Sequence, residues 1–263
     1  MELPRVAATQ AADERSLSVG DVRNLLRRVV LRAELRPGSE HSQDDLRSSL
    51  DVGRTPFREA LRMVQAEGLI EILPNGRLKI PEVSVDDYTQ IQIARIALES
   101  AGARLSVPQL GPDDLARLEG LMGQMSHYLS TDYLDRIETP HREFHRGLVA
   151  GAGPAILERI DDLSDRASRY RWAFPDVLKD YWPLRMEEHR AMLDAAIAGD
   201  EEAVAARLAA HYLDAGLLLP EAMNDPDGRK RLEQTTLRSL APAMRSVVEG
   251  LKPKARRSAR TKG

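Results

Sequence analysis

The stretch LRPGSEHSQDDLRSSLDVGRTPFREALRMVQAEGLIEILPNGRLKI, residues 35–80, decides how this chain is read. Pro37-Gly38 ends a helix that Val19, Val22, Leu25, Val29 and Val30 mark by their helical spacing over residues 17–35. Ser42 offers an N-cap, with Asp45 three residues on as a capping-box variant, and starts a short helix to about Leu50. Asp51-Val52-Gly53 predicts a tight turn in which Gly53 takes the positive φ. A third helix begins at Thr55, with Pro56 at the first position, where a missing N–H does no harm, and Gly68 closes it. Two alternating apolar runs, residues 69–73 and 78–80, then flank Pro74-Asn75-Gly76-Arg77, and Asn-Gly in such a setting is a strong hairpin signal. Helix, helix, turn, helix, hairpin is the order of a winged helix-turn-helix, here spanning residues 17–81, with a flexible arm over 1–16 before it.

Beyond a linker at residues 81–85 the apolar residues recur at helical spacing to the end. Helices are expected over 86–107, 113–128, 132–151, 155–173, 184–198 and 201–219, punctuated by Gly111-Pro112, Gly153-Pro154 and Gly199-Asp200. The whole is therefore mainly α, an N-terminal winged head followed by an all-helical antiparallel bundle over residues 86–222. Residues 223–263 form a C-terminal extension with one further helix and a tail in which every charge from Leu251 on is basic. That tail suits either solubilisation or salt-sensitive contacts with phosphates.

Net charge is −3, which favours no partner by itself, but the distribution is uneven: the arginine-rich head precedes a slightly acidic body. No cysteine is present, so disulfides and thiolate metal sites are excluded, and any metal would need histidine and carboxylate ligands. No stretch reads as a signal peptide or membrane span, and the expected location is the cytoplasm.

In a helix-turn-helix the third helix enters the major groove with its N-terminal residues against base edges and phosphates. Here that helix opens with Arg54, Thr55 and Arg58. Arginine suits guanine O6 and N7, and threonine suits a phosphate oxygen or a thymine methyl. Asn75 and Gly76 are small enough for a minor groove, and Arg77 or Lys79 suits the flanking backbone. The expected partner is double-stranded operator DNA.

The bundle holds a second constellation. His141 and His145 lie four apart and share a helix face. His189 and His211 stand almost equally far from the Gly199-Asp200 turn, so an antiparallel helical hairpin brings them level. Four imidazoles aimed at one point suit a divalent transition metal, zinc or nickel first; the competing explanation is four unrelated surface or core histidines. A metal-dependent enzyme built on these histidines, with Glu143, Glu187 and Glu188 nearby, is the alternative function. No H-E-x-x-H, G-x-S-x-G or phosphate loop accompanies them, and catalysis leaves the winged head unexplained. A purely structural dimerisation protein would make the arginines and the wing incidental.

The L-x-P-G turn, the Gly53-Arg54-Thr55-Pro56-Phe57-Arg58-Glu59-Ala60-Leu61 block and Glu67-Gly68-Leu69-Ile70 resemble the DNA-binding domain of GntR-family transcription regulators. The remainder resembles the helical effector domain of the FadR-type subfamily, called FCD, and together the resemblance covers roughly residues 17 to 220. It implies a homodimer on a palindromic operator, controlled by a small carboxylic acid effector, with Arg54, Thr55, Arg58 and Gly76 on the DNA. Gly53 stands where the family usually has serine. The resemblance also implies a metal held by an aspartate and three histidines. Here His141 replaces the aspartate, so either the ion is completed by an anionic effector or the metal has been lost. Arg95 falls on the arginine that meets the effector's carboxylate in the family, although Glu99, four residues on, is an equally good partner. Arg171, Trp172 and Tyr212 are further candidates to line an effector pocket.

Overall fold

The computed structural model describes residues 17–251. The arm expected over 1–16 and the basic tail after Leu251 lie outside the described residues. The chain divides into two compact units, one running to Ser84 and including Ser168–Ala173, the other formed by the rest.

In the first unit α1 (Val19–Leu31) starts at a true capping box: Ser18 Oγ accepts from the Asp21 N–H and the Asp21 carboxylate accepts from the Ser18 N–H. Ser42 caps α2 (Gln43–Ser49) in the same sense by accepting from the Asp45 N–H. Helix α3 (Arg54–Ala66) closes on Gly68 at φ 72, with Leu69 N–H bonded to Val64 C=O and Gly68 N–H to Gln65 C=O, a Schellman motif. Val22, Leu26, Val29, Leu46, Phe57, Leu61, Val64, Leu78 and Ile80 make the core on which these elements meet.

Two details of this unit correct the sequence reading. Gly53 is extended, at φ −66 and ψ 151, and serves as the N-cap of α3; the positive φ of the turn falls on Asp51, at 52. The chain reverses directly after α2, and Asp51 is an acid whose short side chain tolerates the left-handed region. The wing is also more than one hairpin. Strands β2 (Glu71–Ile72) and β3 (Leu78–Lys79) are joined by β1 (Glu40–His41), with β3 in the centre and all pairs antiparallel. A two-residue strand is too short to leave a period in the sequence.

The second unit is built round α4 (Val85–Ser106). Its burial extends over most of its circumference, including the polar Gln92, Arg95, Glu99 and Ser100. Helix α4 packs chiefly against α9 (Glu201–Gly216), while α5 (Pro112–Ser130) packs on α6 (Leu134–Leu148) and on α8 (Pro175–Ile197), which also lies on α9. Helix α7 (Pro154–Ala173) connects α6 to α8, and a short α10 (Leu218–Ala222) follows α9. Helix α8 begins nine residues before the expected start at 184, because it runs through Pro183.

The extension holds two helices where one was expected. They are α11 (Pro226–Ser239) and α12 (Pro242–Leu251), separated at Leu240, where the backbone turns extended, and restarted by Pro242. Leu232, Thr236 and Val248 are fully buried, α11 packing on α4 and α12 on α9, so this part of the chain completes the bundle. Among the described residues no helix is long and apolar enough to cross a membrane.

Candidate functional site: a winged DNA-reading face and a four-histidine centre

On the head, Arg54 and Arg58 emerge exposed from the first turn and a half of α3, because Phe57, Ala60 and Leu61 occupy the opposite, buried face. They share one cleft with Asn75, Gly76 and Arg77 of the wing and with Ser42, Gln43, Asp44 and Arg47 of α2. Thr55 is exposed too but does not line that cleft. Gly76 holds φ 77 at the wing tip, where the Leu73 carbonyl accepts its N–H at 2.8 Å. Arg77 is tied back to β1, its Nε donating to the Glu40 carboxylate at 3.2 Å and its Nη2 to the Glu40 carbonyl at 3.0 Å. Sequence reading missed Gln43, whose amide donates to the Gly76 carbonyl at 2.6 Å and so joins α2 to the wing.

In the bundle the four histidines converge. His141 and His145 come from α6, His189 from α8 and His211 from α9, all buried, with one nitrogen from each within 4.8 Å of the others. Nε2 of His145 lies 3.1 Å from Nε2 of His141 and 3.0 Å from Nε2 of His189. Trp182 and Phe144 pack edge-on against this set. Burial pushes the His189 imidazole down to about 3, and burial with the neighbouring positive groups holds His211 well below the usual histidine range, so both rings stay neutral.

Hydrogen bonds around the cluster fix which nitrogens carry protons. Glu99, ion-paired with Arg95 at 2.9 Å, accepts the hydroxyl proton of Tyr212. Tyr212 Oη, 3.0 Å from His145 Nδ1, has then given away its single proton and can only accept from that nitrogen. His145 thus carries its proton on Nδ1 and turns a lone pair on Nε2 toward the cluster. Glu188 Oε2 lies 2.7 Å from His211 Nδ1 on the other side of the cluster. Burial raises the Glu188 carboxyl to about 7 against the pull of Arg185, which bonds it at 2.7 Å.

Of the proposed effector residues, Arg95 and Tyr212 join this centre: the Arg95 guanidinium sits 4.0 Å over the Tyr212 ring and is buried with Glu99. Arg171 and Trp172 lie instead in the segment Ser168–Ala173 that groups with the first unit, so the structure does not bring them to the histidines. Their position in a long helix gave no sign of this. Glu143 ion-pairs with Arg117 at 3.3 Å and Glu187 is exposed, so neither faces the cluster. Arg185 and Trp182 are residues around the centre that the sequence reading did not name; the i,i+3 spacing of Arg185 and Glu188 was the available signal.

A winged helix-turn-helix head followed in the chain by a helical bundle is the architecture of a DNA-binding regulator. The comparisons give the family. The model of bacterial regulatory proteins of the gntR family matches residues 19–80, and the FCD domain model matches residues 90–214. The HTH-type transcriptional repressor GlaR of Escherichia coli (strain K12) is 26% identical over 206 residues, which is 75% of this chain and 94% of that protein. The HTH-type transcriptional regulator BphR of Paraburkholderia xenovorans is 28% identical over 207 residues, 73% of this chain and 83% of that one. The solved structure of E. coli McbR/YncC shares the fold, with a TM-score of 0.70 at 24% identity over 78% of this chain and 98% of that one. The chain belongs to the GntR family and is a DNA-binding transcription regulator with an FCD domain, not an enzyme.

Proposed function

We propose that this regulator is of the FadR type, acts in the cytoplasm as a homodimer on a palindromic operator, and is controlled by a small carboxylate bound at a divalent metal in the four-histidine centre. The metal reading rests on one observation. His145 Nε2 has a single in-plane lone pair, yet two other imidazole nitrogens stand within 3.1 Å of it. Two N–H donors would compete for that lone pair, whereas a cation accepts one from each ring. Nitrogens bound to zinc at ~2.0–2.1 Å in a tetrahedron lie roughly 3.3 Å apart, close to these separations. His141, His145, His189 and His211 would hold the ion, which when bound supplies a Lewis-acid anchor for an oxygen ligand.

The charges favour an anionic effector. Four neutral rings bring none, and the two nearby carboxylates are each matched by an arginine, Glu99 by Arg95 and Glu188 by Arg185. A divalent ion therefore leaves positive charge in a buried site, which a carboxylate balances. Dimerisation is supported by the solvent-facing stripe of α4, where Ala94, Ala97, Ala101 and Leu105, the last 50% exposed, form an apolar strip that a second copy would cover. Effector and DNA then oppose or assist each other through a coupling of about 1–3 kcal/mol, passed by the short linker before α4.

Metal analysis of the purified protein beside a His145→Ala/His189→Ala variant tests the centre. Near-stoichiometric zinc or nickel in the parent and none in the variant is expected, and equal, negligible metal in both overturns it. Small carboxylates should raise the melting temperature of the metal-loaded protein. Stabilisation by uncharged or cationic compounds alone would reject the effector class.

A further inference from the structure

Arg95 is committed to partners within the bundle. Its Nε is bonded to Glu99, its guanidinium lies on the face of Tyr212, and it is only 4% exposed. Burial opposes its charge, but Tyr212, Glu99 and Tyr88 outweigh that and hold the proton more firmly than usual. What Arg95 does reach, through Glu99 and Tyr212, is the His145 imidazole.

We propose that Arg95, Glu99 and Tyr212 are a positioning relay for His145, holding its proton on Nδ1 so that Nε2 faces the centre, and that Glu188 does the same for His211. This rests on the metal reading above. Each link is constrained in one direction. Arg95 can only donate, so Glu99 is kept as an acceptor; Glu99 takes the single proton of Tyr212; Tyr212 is left to accept from His145. The relay crosses three helices, α4, α9 and α6, and ends at the ring whose Nε2 is closest to two others. On α8, Arg185 holds Glu188, and Glu188 accepts from His211 Nδ1 on α9. Two of the four rings are thus locked in the ligand tautomer before any ion arrives. Outer groups of this kind are worth about 10–100-fold in metal affinity. The role assigned to Arg95 by resemblance therefore changes: it acts on the ligand set, not on the carboxylate.

The test measures Zn2+ affinity of the full-length chain by chelator competition, with the visible absorption of Co2+ as a second readout. Tyr212→Phe keeps the ring under Arg95 and removes only the hydroxyl. It should weaken Zn2+ binding about 10–100-fold and alter the Co2+ spectrum, while the metal-free protein keeps its helicity. Glu188→Gln, at the mostly buried end of the other relay, should weaken binding in the same direction. Arg95→Lys, which preserves the charge but not the fork, should move metal affinity and leave the ranking of carboxylates unchanged. Parental Zn2+ affinity in both Tyr212→Phe and Glu188→Gln overturns the relay. So does an Arg95→Lys variant that keeps full metal affinity and loses carboxylate stabilisation. If the parent chain binds neither Zn2+ nor Co2+, the metal reading itself falls, a different result from a parent that binds while its variants match it.

Discussion

The side-chain amide of Gln43, at the first position of α2, donates to the backbone carbonyl of Gly76 at the wing tip, 2.6 Å away. Gln43 and Gly76, 33 residues apart in the chain, thereby hold helix α2 and the wing tip as walls of the cleft from which Arg54 and Arg58 project. The reading helix, the wing and the helix between them act as one surface.

Arg58→Ala removes an exposed guanidinium and touches no core residue, so the fold should be unaffected while operator binding falls. Loss of a base contact costs about 1–3 kcal/mol. In a gel shift on the DNA upstream of its own gene this appears as roughly a tenfold to hundredfold weakening. Parental affinity would remove Arg58 from the interface.

Gly53 and Gly76, the two glycines beside α3 and at the wing tip, should respond oppositely. Gly76→Ala meets no neighbour within 4 Å, but it forces a side chain onto φ 77, at a cost of about 1–2 kcal/mol. Gly53 is extended, and an added Cβ comes only to ordinary contact with Pro56, 3.4 Å away. Gly53→Ser should therefore gain a few tenths of a kcal/mol, ~0.3, by capping α3. Urea denaturation of both variants reads the sign, and a destabilised Gly53→Ser would contradict the N-cap assignment.

Removing one member of the buried Arg95–Glu99 pair strands the other's charge. Arg95→Met should cost about 3–5 kcal/mol, whereas Arg95→Met combined with Glu99→Leu should recover part of it. Denaturation midpoints of the two single variants and the double one form the cycle. Additive losses would mean that the pair is not coupled.

Leu105→Asp places a charge at the C-terminal end of the exposed α4 strip without entering the core. Sedimentation should show monomers where the parent sediments as a dimer, with helicity retained. A dimeric variant would move the two-fold contact to another face.

Much of this was legible before any coordinates. The cap at Ser42 and Gly68 at the end of α3 are local signals, decided within a few residues; Pro56 stands third in α3 and not first, because Gly53 takes the N-cap. The meeting of His189 and His211 followed from their nearly equal distances to one turn. What stayed hidden depended on partners remote in sequence or on competition between neighbours. Asp51 and Gly53 both suit a turn, and only the exact path of the chain decides which takes the positive φ. Glu40 and His41 become a strand because β3 is there to pair with them. Glu99 and a ligand were equal claimants for Arg95 in the sequence; in the structure Glu99 pairs with it at 2.9 Å.

The α8–α9 hairpin also sets a dimension. His189 and His211 meet because each helix contributes a matching number of turns to the reversal at Gly199, whose φ of 69 folds the chain back. Deleting one residue between His189 and that reversal would rotate the ring by roughly 100° about its axis and shift it about 1.5 Å along it. The segment is thus a ruler in which side chains on the outer face are interchangeable and the residue count is not.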